Sequence, residues 1–195
     1  MKLTILAALI IFFNDFIFAQ SIPIEKINSE WKEDSIFLPF KADLKEFDEF
    51  LIYYNGSSWT KNTLYFVLGK KNTKWRAFNY EIKYKGEFYP DQKEFKIEKK
   101  STKVKTSEIT NFFFFLDSTN FWNLSQDSLD NNRSLFITDG SFDMIILHAQ
   151  NNSFAVSAYM VEYYFESFKD AHRKIFIQNK NKLICLFRKK RYKCK

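Results

Sequence analysis

Two histidines, His148 and His172, are the natural acid or base candidates of this chain, because imidazole is the side chain whose ordinary titration falls near neutral pH. Their sequence surroundings point elsewhere. His148 closes the apolar run Ile145–Leu147 and His172 falls on the apolar stripe of a predicted helix, positions that suit satisfied structural histidines. Asp127, Asp130, Asp139 and Asp143 would suit calcium if loop oxygens converged. Their spacing follows no calcium-loop pattern, and Asp139 with Gly140 is already explained as turn chemistry, so no metal is expected. Carboxylates for glycosidase work are plentiful, but no pair stands out. P-loop, dinucleotide-binding, HExxH, GxSxG and EF-hand patterns are all missing from the sequence, so no cofactor is expected.

Three further groups of residues could bind rather than catalyse. Trp59 and Trp75, with Tyr53, Tyr80 and Tyr84, fall on predicted antiparallel strands, where an aromatic sheet face can stack on sugars or seat a peptide. Cross-strand packing explains the same residues without a ligand. Cys185 and Cys194 are the only cysteines; they can form a bridge closing a small C-terminal loop, or stand as one buried and one exposed thiol. Neither sits in a CxxC pattern, which removes zinc and thioredoxin-like roles. The formal charge of +7 is concentrated at the C-terminus, in Arg188, Lys189, Lys190, Arg191, Lys193 and Lys195. Clustered basic residues answer to nucleic acid, anionic headgroups or acidic polysaccharide, and equally to a solvated chain end.

The compartment follows from the N-terminus. Lys2 supplies a positive start, Leu3 to Phe13 is an apolar run, and Ala19 before Gln20 offers a cleavage point, the pattern of a secretory signal. Asn14 and Asp15 interrupt the run short of the length of about twenty residues that a span needs. No cysteine lies near residue 20 to accept a lipid. The expected product is therefore exported, periplasmic or secreted, with no stable membrane span, no nucleic-acid partner and permission for a disulfide. The 24 phenylalanines belong to the core by size, and an AT-rich coding preference accounts for part of their number.

Positioning all of this requires a domain of about 140 residues, long enough for a hydrophobic core. The division expected is a signal at 1–19, an irregular lead-in at 20–45, one domain at 46–187 and a basic tail at 188–195. Strands are expected at Phe50–Tyr54, Thr63–Leu68, Trp75–Tyr84 and Phe95–Ile97, with Arg76, Phe78, Tyr80, Ile82 and Tyr84 facing the core. Lys99–Lys105 reads as a linker. A helix capped by Thr106 or Ser107 carries Ile109, Phe112, Phe113 and Leu116 on one face, and Phe114 and Phe115 extend its apolar surface nearly all round. Phe121, Trp122 and Leu124 form an anchor, Ser125–Asn132 a polar loop, and Leu135–Thr138 a further strand. A hairpin spans Phe142–Tyr159 about a turn at Gln150–Ser153. The period then predicts one helix over Glu162–Gln178, with Phe165, Phe168, His172 and Ile175 inward and Arg173 outward; Leu183–Phe187 is a last strand or helical turn. Strands interrupted by two helices, without regular alternation, give an α+β fold: an antiparallel sheet with two main helices on one face.

Phe121-Trp122-Asn123-Leu124, then Thr138-Asp139-Gly140, then a hairpin ending in Tyr159 and a helix, resembles uncharacterised small exported proteins of Bacteroidota, over the C-terminal half alone. The resemblance implies export and an α+β domain and no activity. The function expected is a non-enzymatic binding or interaction module of the bacterial envelope, partnered by an envelope protein or polymer. A small hydrolase of an envelope polymer and an inhibitor or immunity-type protein remain the alternatives.

Overall fold

Strands whose apolar residues fall on both faces must bury both, and this sheet does so with two separate cores. In a computed structural model, which describes residues 22, 38–56, 62–84, 95–130, 140–150 and 152–188, the strands are β1 (Glu49–Gly56), β2 (Asn62–Lys71), β3 (Lys74–Tyr84), β4 (Phe95–Thr102), β5 (Phe142–Ala149) and β6 (Asn152–Tyr159). They form one sheet in the order β4-β3-β2-β1-β5-β6, every neighbouring pair antiparallel. The chain first lays β1 to β4 side by side, then returns to place β5 against the free edge of β1.

On one face, Leu51, Tyr53, Phe66, Leu68, Ile145, Leu147, Phe154 and Val156 meet the helices. These are α2 (Thr106–Ser118), α3 (Gln126–Asp130), α4 (Val161–Phe168) and α5 (Ala171–Phe187), with a 3-10 turn at Phe121–Asn123. Their contribution is Ile109, Phe112, Phe113, Leu116, Phe121, Leu129, Val161, Phe176 and Leu183. On the other face, Phe50, Ile52, Tyr54, Tyr65, Val67, Tyr80, Ile82 and Ile146 are met by Leu38, Phe40, Leu44 and Phe47, around the single turn α1 (Lys41–Leu44). Phe40 stacks on Tyr80 with ring centroids 4.2 Å apart. The Phe47 ring lies across β2 so closely that a Cβ at Gly69 would fall 2.6 Å from it, which is why that strand position carries glycine.

The α+β fold with its antiparallel sheet and its long helices on one face is the expected one, and several local expectations are corrected. The lead-in supplies core: Ile22, Leu38, Phe40 and Leu44 are buried. Trp75 and Ala77, assigned outward, face the helices, while Tyr80 and Ile82 face the second core and Arg76 is exposed. The Lys99–Lys105 linker is half strand, because β4 runs to Thr102 and pairs Lys99 with Tyr80 and Lys100 with Asn79. Neither Thr106 nor Ser107 caps α2; the Glu108 carboxylate accepts the Lys105 N–H at 2.9 Å instead. Phe114 is 58% exposed rather than buried between layers. Part of the polar loop after Ser125 is helical, as α3.

The predicted helix at 162–178 is two helices. Lys169 adopts φ 52°, ending α4, and Asp170 starts α5 by accepting the Arg173 N–H at 2.8 Å. The break rotates the inward stripe, so Phe168 and His172 are exposed and Arg173 is buried. Its guanidinium donates to the Leu129 carbonyl at 2.7 Å and lies over the Tyr164 ring. The segment Leu183–Phe187 is the last part of α5. Residues 1–19 and 135–138 lie outside the described residues. Among the described residues no helix is long and apolar enough to cross a membrane.

Candidate functional site

Asp143 is the second residue of β5, on the face that meets the helices, and it is 2% exposed. A carboxylate at such a depth must be matched by donors. The register supplies them: Asn55 lies directly across on β1, and Tyr53 two residues before it on the same face. The Tyr53 hydroxyl donates to Asp143 Oδ1 at 2.6 Å and the Asn55 amide donates to the same oxygen at 2.9 Å. From above, α5 lowers Lys180, 5% exposed, whose Nζ lies 2.6 Å from Oδ2. The same ammonium reaches Glu162 of α4 at 2.5 Å. Burial, and after it the Asp143 charge, pushes the Tyr53 phenol far above its ordinary range, so it stays a donor.

This network forms the wall of a cleft of about 450 Å³ where the sheet end meets α4 and α5, lined also by Asn62, Leu64, Ser141, Asn181, Ile184 and Arg188. That volume is in the range of small-ligand sites, about 300–1,000 Å³. Its groups divide into two sets. Asp143, Lys180, Tyr53 and Glu162 are occupied with one another. Arg188, at the end of α5, rests its guanidinium over the Phe66 ring, 5.2 Å from the centroid, and has no carboxylate within ion-pair distance among the described residues. It lines the cleft together with Asn62, Asn181, Leu64 and Ile184.

The other candidates are placed as follows. Trp75 is 9% exposed and packs on Phe113 at 5.3 Å, so it is core and not a stacking surface. Tyr80 donates to Asp43 at 2.9 Å beneath Phe40, and burial pushes its phenol up to about 12. His148 Nδ1 lies 2.7 Å from Ser153 Oγ and its ring stacks on Phe50, on the sheet face opposite the cleft. His172 is on the surface of α5, 3.9 Å from Asp170, and does not reach the cleft. Asp127 and Asp130 are on α3, and among the described residues no group of metal-ligating side chains converges. Cys185, in α5, is disulfide-bonded. Trp59, Lys189, Lys190, Arg191, Cys194 and Asp139 lie outside the described residues. Of the residues singled out from the sequence the cleft thus holds Arg188, Tyr53 and Asp143, the last as a buried ion-pair partner rather than a calcium ligand, and it adds Asn55, Asn62, Ser141, Glu162, Lys180 and Asn181, which sequence reasoning missed. The one available signal was Lys180 at helical spacing from Phe176 and Leu183, a lysine on an inward stripe. The chain matches no family model and no curated protein sequence.

Proposed function

We propose that this protein is an exported, non-enzymatic binding module of the bacterial envelope, and that the cleft between the sheet end, α4 and α5 is where it holds its ligand. The observation that carries the reading is the division of labour in the cleft. The buried acid is engaged by Tyr53, Asn55 and Lys180, which suits a structural support, while Arg188 and the exposed Asn62 and Asn181 line the same cleft without a carboxylate or hydrogen-bond partner on their side chains among the described residues. A general base must be within reach of a substrate proton and able to accept it. Both Asp143 oxygens are already engaged, by Tyr53, Asn55 and Lys180, and both histidines stand away from the cleft. The disulfide at Cys185 supports an oxidising compartment. The likeness to exported Bacteroidota proteins belongs to the same proposal.

The test is a pull-down from envelope extract with the purified protein and with Asn181→Trp, which places an indole in the cleft from an exposed helix position. Thermal melting controls for folding. Partners lost with the plugged cleft at unchanged melting support the reading. Partners retained by the plugged protein, or none captured by the native one, overturn it.

A further inference from the structure

The open groups of the cleft differ in kind, and together they describe a ligand. Arg188 offers a planar pair of N–H donors, a geometry that matches the two oxygens of a carboxylate. Its guanidinium carbon lies over the Phe66 ring, 5.2 Å from the centroid, a contact that restricts the fork in advance of binding, so it loses less freedom when it engages. Asn62 on β2, Asn181 on α5 and Ser141 just before β5 line the same cleft. No hydrogen bond engages any of these three side chains among the described residues. An amide is donor and acceptor at once, the chemistry that reads vicinal hydroxyls. Leu64 and Ile184, both half-buried, give the floor an apolar strip of the kind that C–H faces of a sugar ring can cover.

The charge balance narrows the class further. Lys180 is spent on Asp143 and Glu162, whereas Arg188, the other cation lining the cleft, has no carboxylate partner among the described residues. Glu162 is 57% exposed at the rim. Asp143 and Glu162 balance Lys180 and Arg188, so the lining carries one open cation and no net positive charge, which suits a singly charged group better than a polyanion.

Resting on the reading of this cleft as the binding site, we infer that its ligand is a sugar acid, a polyhydroxylated unit carrying a single carboxylate that Arg188 receives while Asn62 and Asn181 read the hydroxyls. Such units occur within acidic polysaccharides, and Arg188 is also the first residue of the basic tail, so the site stands where the chain's cationic segment begins.

Titration of the purified full chain with oligogalacturonate, followed by calorimetry at 150 mM salt, tests this. The same oligomer with its carboxylates methyl-esterified, and a sulfated heparin oligomer, are the comparison probes. The free acid should bind at least tenfold more tightly than the ester, Arg188→Gln and Asn62→Ala should each lose at least tenfold, and Arg188→Lys should recover only part. A variant with Lys189, Lys190 and Arg191 all changed to glutamine should keep most of the affinity. The inference is overturned if ester and acid bind alike, if neither binds, if heparin binds more tightly than the free acid, or if the tail variant loses binding that Arg188→Gln keeps. If the probes fail while the plugged cleft still abolishes capture from extract, the sugar-acid assignment falls and the cleft remains the binding site.

Discussion

Replacing Lys180 with methionine would leave the Asp143 carboxylate buried with two neutral donors and no cation. Both donors, the Tyr53 hydroxyl and the Asn55 amide, are aimed at Oδ1, so Oδ2 would lose its one short contact. Removing one member of a buried ion pair costs about 3–5 kcal/mol, since the remaining charge stays out of water. Glu162 adds little to that figure because its exposed side chain is rehydrated when the lysine leaves. Lys180→Met should therefore lower stability by about 3–5 kcal/mol. Asp143→Asn keeps an acceptor for Tyr53 and leaves Lys180 paired with Glu162, so it should cost less, about 1–3 kcal/mol. The double variant removes both charges, and its loss should fall short of the sum of the two by about 1–3 kcal/mol. Urea unfolding yields the three free energies, with unchanged slopes confirming a common folded state. A Lys180→Met loss below about 1 kcal/mol, the scale of a surface pair, would refute the view that this network holds α5 onto the sheet.

Three other outcomes follow from named contacts. The Gln126 side chain occupies the outer edge of β6, donating to the Ser157 carbonyl and accepting the Ser157 N–H, each at 3.0 Å. Gln126→Ala should cost about 1–3 kcal/mol and promote self-association through the bared edge, read by light scattering after size exclusion; a strictly monomeric variant would refute the protective role. The phenols of Tyr54 and Tyr80 are both pushed up to about 12, chiefly by burial. An unfolded tyrosine loses its proton near 10, so the stability they contribute is full below pH 10 and is lost as the pH rises from 10 towards 12. Denaturation midpoints that hold level from pH 9 to pH 11.5 would contradict this. Finally, Phe112→Ala should destabilise by about 3–5 kcal/mol, whereas Phe114→Ser on the same helix should stay within about 0.5 kcal/mol, as differential melting will show.

Much of the sheet was legible because strands announce themselves by alternation. The residues of β1, β2, β5 and β6 alternate between two cores, and the apolar members of α2 lie one helical turn apart. What escaped detection was decided by contacts between residues far apart in the chain. Lys99 and Lys100 look like linker because their side chains are polar, yet an edge strand is held by its backbone, and lysines suit an edge. The division of the last helical segment rests on one left-handed residue, Lys169, which leaves the apolar period undisturbed on either side. Asp170 three residues before Arg173 was the cap signal available. Arg173, Asn179 and Lys180 were hardest of all. A charged or amide side chain on a helix reads as outward unless its partner is known, and the partners here are the Leu129 carbonyl, Thr119 and Asp143, 44, 60 and 37 residues away. The cleft was hidden for the same reason, since it exists only once α5 is laid across the end of the sheet.

The central claim is that ligand binding occurs in this cleft. Its most direct measurement is the amide chemical-shift footprint of isotope-labelled protein titrated with fractionated envelope extract. Shifts clustered at Asn55, Asn62, Leu64, Ser141, Asn181 and Ile184 are the predicted result. A footprint confined to the exposed ring patch of Tyr163 and Phe168 on α4, or to the second core face around Phe78 and Tyr84, would contradict the account.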